Sequence, residues 1–171
     1  MENFIFDPEI KVDFLTFSDG AEHVQVDPDS LYTSMDIIAR LDSSQNIVRF
    51  FLLLEAINQV QEDDGHVCNL TISMPYVPYA RQDRHCAPGQ SFALNVFMSQ
   101  LSSAVYNCNN LNIIFDVYDV HSPVVLELAD TYSLTFNHHT QLDEINQVEE
   151  VRRFVESCDI MVAPDKGALR K

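Results

Sequence analysis

Five apolar runs alternate with segments of helical periodicity, and this alternation restricts the fold more than any other feature of the chain. Met35–Leu41, Val67–Met74, Leu111–Tyr118, a stretch near Tyr132–Phe136 and Asp159–Ala163 read as strands. Between them, Ile47, Phe50, Phe51, Leu54, Ile57 and Val60 mark a helix from about Asn46 to Val60. Leu94, Phe97, Met98, Leu101 and Val105 mark another over Phe92–Val105. A short helix is expected near Val124–Ala129. A last one, near Asp143–Glu156, is expected to turn Ile145, Val148, Val151 and Phe154 inward, with acids in its first turn and Arg152-Arg153 toward its end, as the helix dipole favours. Apolar strands alternating with helices imply an α/β fold, a mostly parallel sheet flanked by helices and covered on both faces. Ahead of the sheet, Val12–Phe17 and His23–Val26 flank an Asp19-Gly20 turn, so the chain is expected to open with a β-hairpin.

The 171 residues suit one ordinary domain, and a 46% hydrophobic fraction can build a sizeable core. A formal net charge of -16 disfavours a general nucleic-acid surface or an anionic membrane surface, both of which require clustered cations. Anionic ligands must therefore be captured at local sites. Cys68, Cys86, Cys108 and Cys158 are widely spaced with no CxxC pair, and the first residues lack a basic, apolar leader pattern, so a reduced, cytoplasmic protein is expected.

Three polar clusters follow predicted strands, where open α/β sheets bind their ligands. After Met74, Pro75, Pro78 and Pro88 stiffen a loop holding Arg81, Gln82, Asp83, Arg84 and His85, a fit place for an anion in a chain with only 10 Lys and Arg. The second cluster, after Tyr118, is formed by Asp116, Asp119 and His121, a spacing that suits either a divalent cation near a triphosphate or a hydrogen-bonded turn. After Ala163, Asp165 precedes Lys166, Arg170 and Lys171, a metal and phosphate pattern that on charge alone also reads as a solvated tail. There is no P-loop, no GxGxxG, no H-E-x-x-H and no Gly-x-Ser-x-Gly elbow. His23, His138 and His139 read as surface or packing residues.

The run Pro75-Tyr76-Val77-Pro78-Tyr79-Ala80-Arg81-Gln82-Asp83-Arg84 closely resembles the signature of ribose-phosphate pyrophosphokinases, and three further segments resemble that family in order. Phe17-Ser18-Asp19-Gly20 is similar to its Phe-Ser/Pro-Asp-Gly-Glu element, Asp119-Val120-His121-Ser122 to its Asp-Leu-His motif, and Pro164-Asp165-Lys166-Gly167 to the Pro-Asp-x-Gly motif ending its first domain. The resemblance implies a phosphoribosyltransferase-like fold over residues 1–171, equivalent to the family's N-terminal domain, with the C-terminal ribose-phosphate-binding domain absent. It implies an ATP site at Asp19, Gly20, Arg81 and Gln82, and Mg²⁺ held by His121 and Asp165. The implied activity is Mg-dependent diphosphate transfer from ATP to ribose 5-phosphate, giving phosphoribosyl pyrophosphate and AMP for nucleotide biosynthesis. The catalytic lysine of the family belongs to the absent half, so no catalytic residue is assigned here, and the chain alone is expected to be incomplete or inactive. Expected partners are a second copy of the chain or a complementary C-terminal chain. The alternative is a non-catalytic, synthetase-associated regulatory subunit. Ala21 stands where the family has glutamate, with Glu22 one place on.

Overall fold

A computed structural model describes residues 3–140, 143 and 147–160. The chain separates into two compact units, Met1–His138 and His139–Lys171. The first holds a five-stranded sheet made of β1 (Phe4–Asp7), β4 (Ser34–Ala39), β5 (Cys68–Met74), β6 (Leu111–Tyr118) and β7 (Phe136–His139), in the order β1-β4-β5-β6-β7. β1 runs antiparallel to β4, whereas β4, β5 and β6 are mutually parallel. β2 (Val12–Thr16) and β3 (Glu22–Val26) form the expected hairpin, paired from Val12↔Val26 to Thr16↔Glu22. Its turn works because Gly20 adopts φ +87° and the Asp19 carboxylate accepts the Ala21 N–H at 3.0 Å.

Helix α1 (Ser44–Asp63) follows β4, α2 (Ala93–Asn107) follows β5, and α3 (Val124–Thr131) follows β6. The Ser43 hydroxyl caps α1 by accepting the Asn46 N–H at 3.2 Å. Phe50, Leu53, Leu54 and Ile57 of α1, with Leu94, Phe97, Met98 and Leu101 of α2, pack against Ile37, Leu70, Ile72 and Phe115 of the sheet to form one core.

Several expectations need correction. Within the first unit, the helices cover one face of the sheet and not both. Each crossover from β4 to β5 to β6 steps the same way, and right-handed crossovers in one direction deliver their helices to one face. The other face carries Asp36, Asn69, Thr71, Asn112, Ile114 and Asp116, all exposed or half-buried. The chain also begins its sheet before the hairpin: Phe4–Asp7 is an edge strand too short to register as a run.

The strand expected near Tyr132–Phe136 starts only at Phe136, because the preceding residues close α3. Ser133 takes φ +55°, its N–H bonds to the Asp130 carbonyl, and the Leu134 N–H reaches the Ala129 carbonyl at 2.9 Å, a Schellman arrangement that uses Leu134 as its apolar anchor.

In the second unit, α4 (Glu149–Glu156) carries the expected charge order, with Glu149 and Glu150 first and Arg153 last. Its apolar stripe is not inward: Val148, Val151 and Phe154 are 50%, 41% and 69% exposed. Periodicity specifies which residues share a face, but burial requires an opposing surface. Ile145 lies outside the described residues. Asp159 and Ile160 are not in a strand, and 161–163 of that expected element also lie outside the described residues.

Candidate functional site

Met74 ends β5 fully buried, and the chain then turns through a loop held by its own hydrophobic residues: Val77 and Ala80 are buried and the Tyr79 ring lies 6.2 Å from Phe97. Tyr79 adopts φ +59°, which only a constrained turn imposes on an aromatic residue. The Gln82 N–H returns to the Tyr79 carbonyl at 2.8 Å, and the Gln82 carbonyl accepts the Leu94 N–H at the start of α2. Arg81 and Gln82 thus project from a backbone fixed at both sides, and both side chains are exposed. They line a cavity of about 300 Å³ with Leu41, Ser43, Ser44 and Tyr76 at the N-terminus of α1.

The two arginines of the loop differ. Arg84 donates from Nε and Nη2 to the Asp83 carboxylate at 2.8 and 2.9 Å. Arg81 makes no ion pair among the described residues. Farther along, His85 Nδ1 lies 2.7 Å from the Gln90 carbonyl and its ring meets Phe92 edge-on, so the histidine closes the loop upon itself.

The second cluster follows the neighbouring parallel strand, whose Val117 sits beside Met74. Asp119 takes φ +42°. Asp116 accepts from Asn137 Nδ2 at 3.0 Å, and His121 is exposed. His138 Nε2 accepts the Val120 N–H at 3.4 Å, a bond that sequence reading missed by treating His138 as a surface or packing residue. Ser122 is buried, and its Oγ accepts the Val124 N–H at 3.3 Å. The hydrogen bonds from Arg84 hold the Asp83 carboxyl well below the usual carboxylate range. Ser-Pro before an apolar helix was the available sign of Ser122's capping role.

Asp19 and Gly20 sit exposed at the hairpin tip and do not line the Arg81 cavity. Glu22 is spoken for: it accepts Arg49 Nε at 2.6 Å, Gln45 Nε2 at 2.8 Å and the Thr16 hydroxyl at 2.8 Å. Burial raises its carboxyl pKa, but the bonds from Gln45, Arg49 and Thr16 outweigh that and leave it lowered. Arg49 also lies over the Phe14 ring at 5.6 Å, so this cluster fastens the hairpin to α1. Asp165 lies outside the described residues. Among those described, no three ligating side chains gather into a metal cluster.

A ribose-phosphate pyrophosphokinase of Aeropyrum pernix is 27% identical over 163 residues, covering 94% of this chain and 48% of the relative. That of Saccharolobus solfataricus is 24% identical over 165 residues, covering 95% and 50%. The chain is similar to one half of the ribose-phosphate pyrophosphokinases. It spans about half the length of the curated relatives it matches. The crystal structure of phosphoribosylpyrophosphate synthetase from Mycobacterium smegmatis superposes with a TM-score of 0.63 at 14% identity, over 94% of this chain and 50% of that one, and shares the fold of these pyrophosphokinases. The match is consistent with their N-terminal domain. No protein-family model matches. No described helix is long and apolar enough to cross a membrane.

Proposed function

We propose that these residues form the N-terminal, nucleotide-binding part of a ribose-phosphate pyrophosphokinase, which transfers diphosphate from ATP to ribose 5-phosphate. The observation that carries the reading is Arg81: an exposed cation without an ion pair among the described residues, beside Gln82 and the N-terminus of α1, at the carboxyl end of a parallel strand. Arg81 and Gln82 bind the nucleotide, and a fixed backbone there provides the positioning on which phosphoryl transfer depends. His121 and Asp165 hold Mg²⁺. When bound, the cation offsets phosphate charge. Asp19 and Gly20 are assigned to an ATP site completed by a second copy of the chain, since they stand apart from Arg81's cavity.

The reading treats residues 1–171 as one domain, with the ribose 5-phosphate site supplied by a complementary half. A second reading, a synthetase-associated regulatory subunit, is favoured by Glu22, which is engaged by Arg49 and Gln45 and unavailable to a nucleotide. The deciding experiment measures phosphoribosyl pyrophosphate and AMP from ATP, Mg²⁺ and ribose 5-phosphate, with this chain alone and with the C-terminal half of a relative added. Activity on addition supports the synthetase; MgATP binding without activity in either case supports the regulatory subunit.

A further inference from the structure

The first turns of α1 border a second recess, of about 590 Å³, shared with β1 and the hairpin, and no residue that lines it also lines the Arg81 cavity. Its walls are largely apolar: the Phe4 and Phe14 rings stack 5.2 Å apart and 14° from parallel, and the buried Ile10 lines the same space. Two polar side chains of α1, Asn46 and Arg49, line it as well, three residues apart and so on one helix face. Their hydrogen bonds decide what each has left to offer. The Asn46 Nδ2 donates to the Asp42 carboxylate at 2.7 Å, and because a carboxylate only accepts, the amide is oriented with its oxygen as the remaining group. Asn46 is 4% exposed, and that oxygen has no donor among the described residues. Arg49 donates from Nε to Glu22 at 2.6 Å and from Nη2 to Thr16 Oγ1 at 3.1 Å, which leaves Nη1 without an acceptor among the described residues.

We propose that this recess binds an uncharged planar heterocycle carrying an N–H beside a C=O, the edge of a nucleobase, free or as its nucleoside. The ring N–H donates to Asn46 Oδ1, the neighbouring carbonyl accepts from Arg49 Nη1, and the ring itself packs against the aromatic wall. A few convergent polar groups in an otherwise apolar recess of this size are the usual make-up of a small-molecule site. The charge balance selects against an anion. Arg49 is already paired with Glu22, whose side chain is 6% exposed, and the exposed Glu9 also lines the recess. A carboxylate or phosphate would therefore meet no uncompensated cation among the described lining residues, in a chain whose net charge is -16. The proposal stands apart from the nucleotide site at Arg81 and does not depend on it.

The test uses the whole chain, labelled with ¹⁵N, and follows backbone amide shifts as uracil, uridine or 1,3-dimethyluracil is added to millimolar concentration. Uracil, uridine or both are expected to produce saturable shifts at residues 4–14 and 46–49, and their relative affinities tell whether the base is taken free or on its sugar. 1,3-Dimethyluracil keeps the ring and both carbonyls but has no N–H, and is expected to bind about ten-fold more weakly or worse. Asn46→Ala removes the acceptor and is expected to weaken binding by a similar factor. Because that change also breaks the bond to Asp42, a second variant, Ile5→Trp, fills the recess from a strand position that is 38% exposed, and is expected to abolish the shifts with Tm unchanged. Equal affinity for uracil and 1,3-dimethyluracil overturns the proposal, as does binding that survives Ile5→Trp. Shifts centred on 43–44 and 81–82 would put the base in the Arg81 cavity and overturn it too, and so would the lack of any saturable shift with all three compounds.

Discussion

A guanidinium serves an incoming phosphate only when no carboxylate inside the protein has already claimed it. Arg84 is claimed by Asp83, whereas Arg81 is exposed beside a cavity. Arg81→Ala is therefore expected to weaken MgATP binding by about ten-fold or more, as expected for losing charge-assisted bonds of roughly 1.5–3 kcal/mol, with Tm unchanged. Titration calorimetry and a thermal melt check both halves of that statement. The two arginines were alike in sequence, since charge pairing between adjacent residues depends on a loop conformation that spacing does not encode.

His121 is exposed, so His121→Ala is expected to remove the Mg²⁺ dependence of nucleotide binding and leave the melt intact; unfolding would instead return His121 to a packing role. Asp83 also sets a pH dependence. Its folded pKa is depressed, so its stabilisation is fully present above the unfolded carboxyl value of about 3.9 and is lost as pH falls through the folded value. Protection of the 82–85 amides, in the loop that the Asp83–Arg84 pair belongs to, is expected to hold at pH 5 and decline only below about 4.

At the scale of elements, α1 organises the first unit: its N-terminal turns hold both the hairpin and the cavity wall, and its inner face is core. Arg49 is 21% exposed and Glu22 is 6% exposed, so Arg49→Ala leaves a nearly buried carboxylate with only Gln45 and Thr16. A loss of stability is expected, concentrated in faster amide exchange at 12–26. Equal exchange in hairpin and sheet would contradict it. Ser43→Ala removes the α1 cap and is expected to cost about 1 kcal/mol in urea unfolding.

The hairpin was legible because Asp19-Gly20 between apolar runs demands a particular turn, and α1 and α2 because their periodicity runs over several turns. Phe4–Asp7 was not, being four residues whose strand character comes from pairing with β4. The Leu134 anchor was misplaced because a buried leucine after a helix serves a Schellman closure as well as a strand. In the candidate site, strand-end position picked out Arg81, Gln82 and His121. His138 and the capture of Glu22 depend on contacts between separate segments, 18 and 27 residues apart in their principal pairs.

For the molecule as a whole, the four cysteines divide by burial in a way that reports on global folding. Cys68 and Cys108 are in the core, whereas Cys86 and Cys158 are exposed. Burial pushes the Cys68 thiol up to about 11. Burial, and secondarily Glu55, does the same for Cys108, whose Sγ lies 3.7 Å from the Leu54 carbonyl. Since the thiolate is the reactive form, alkylation at pH 8 is expected to modify Cys86 and Cys158 promptly and the other two only on opening.

The wait for Cys68 and Cys108 then measures the stability of the sheet itself, because β5 lies at its centre and Cys108 closes α2 against α1. Both folded pKa values are raised, so this contribution is complete below the unfolded thiol range near 8.5 and is lost as pH rises toward about 11. Mass spectrometry of native and urea-treated chain checks the division. Two prompt modifications, with the slow pair reacting together, fit a first unit that opens cooperatively; if Cys68 is modified as fast as Cys86, the helix-covered face of the sheet is not closed to solvent.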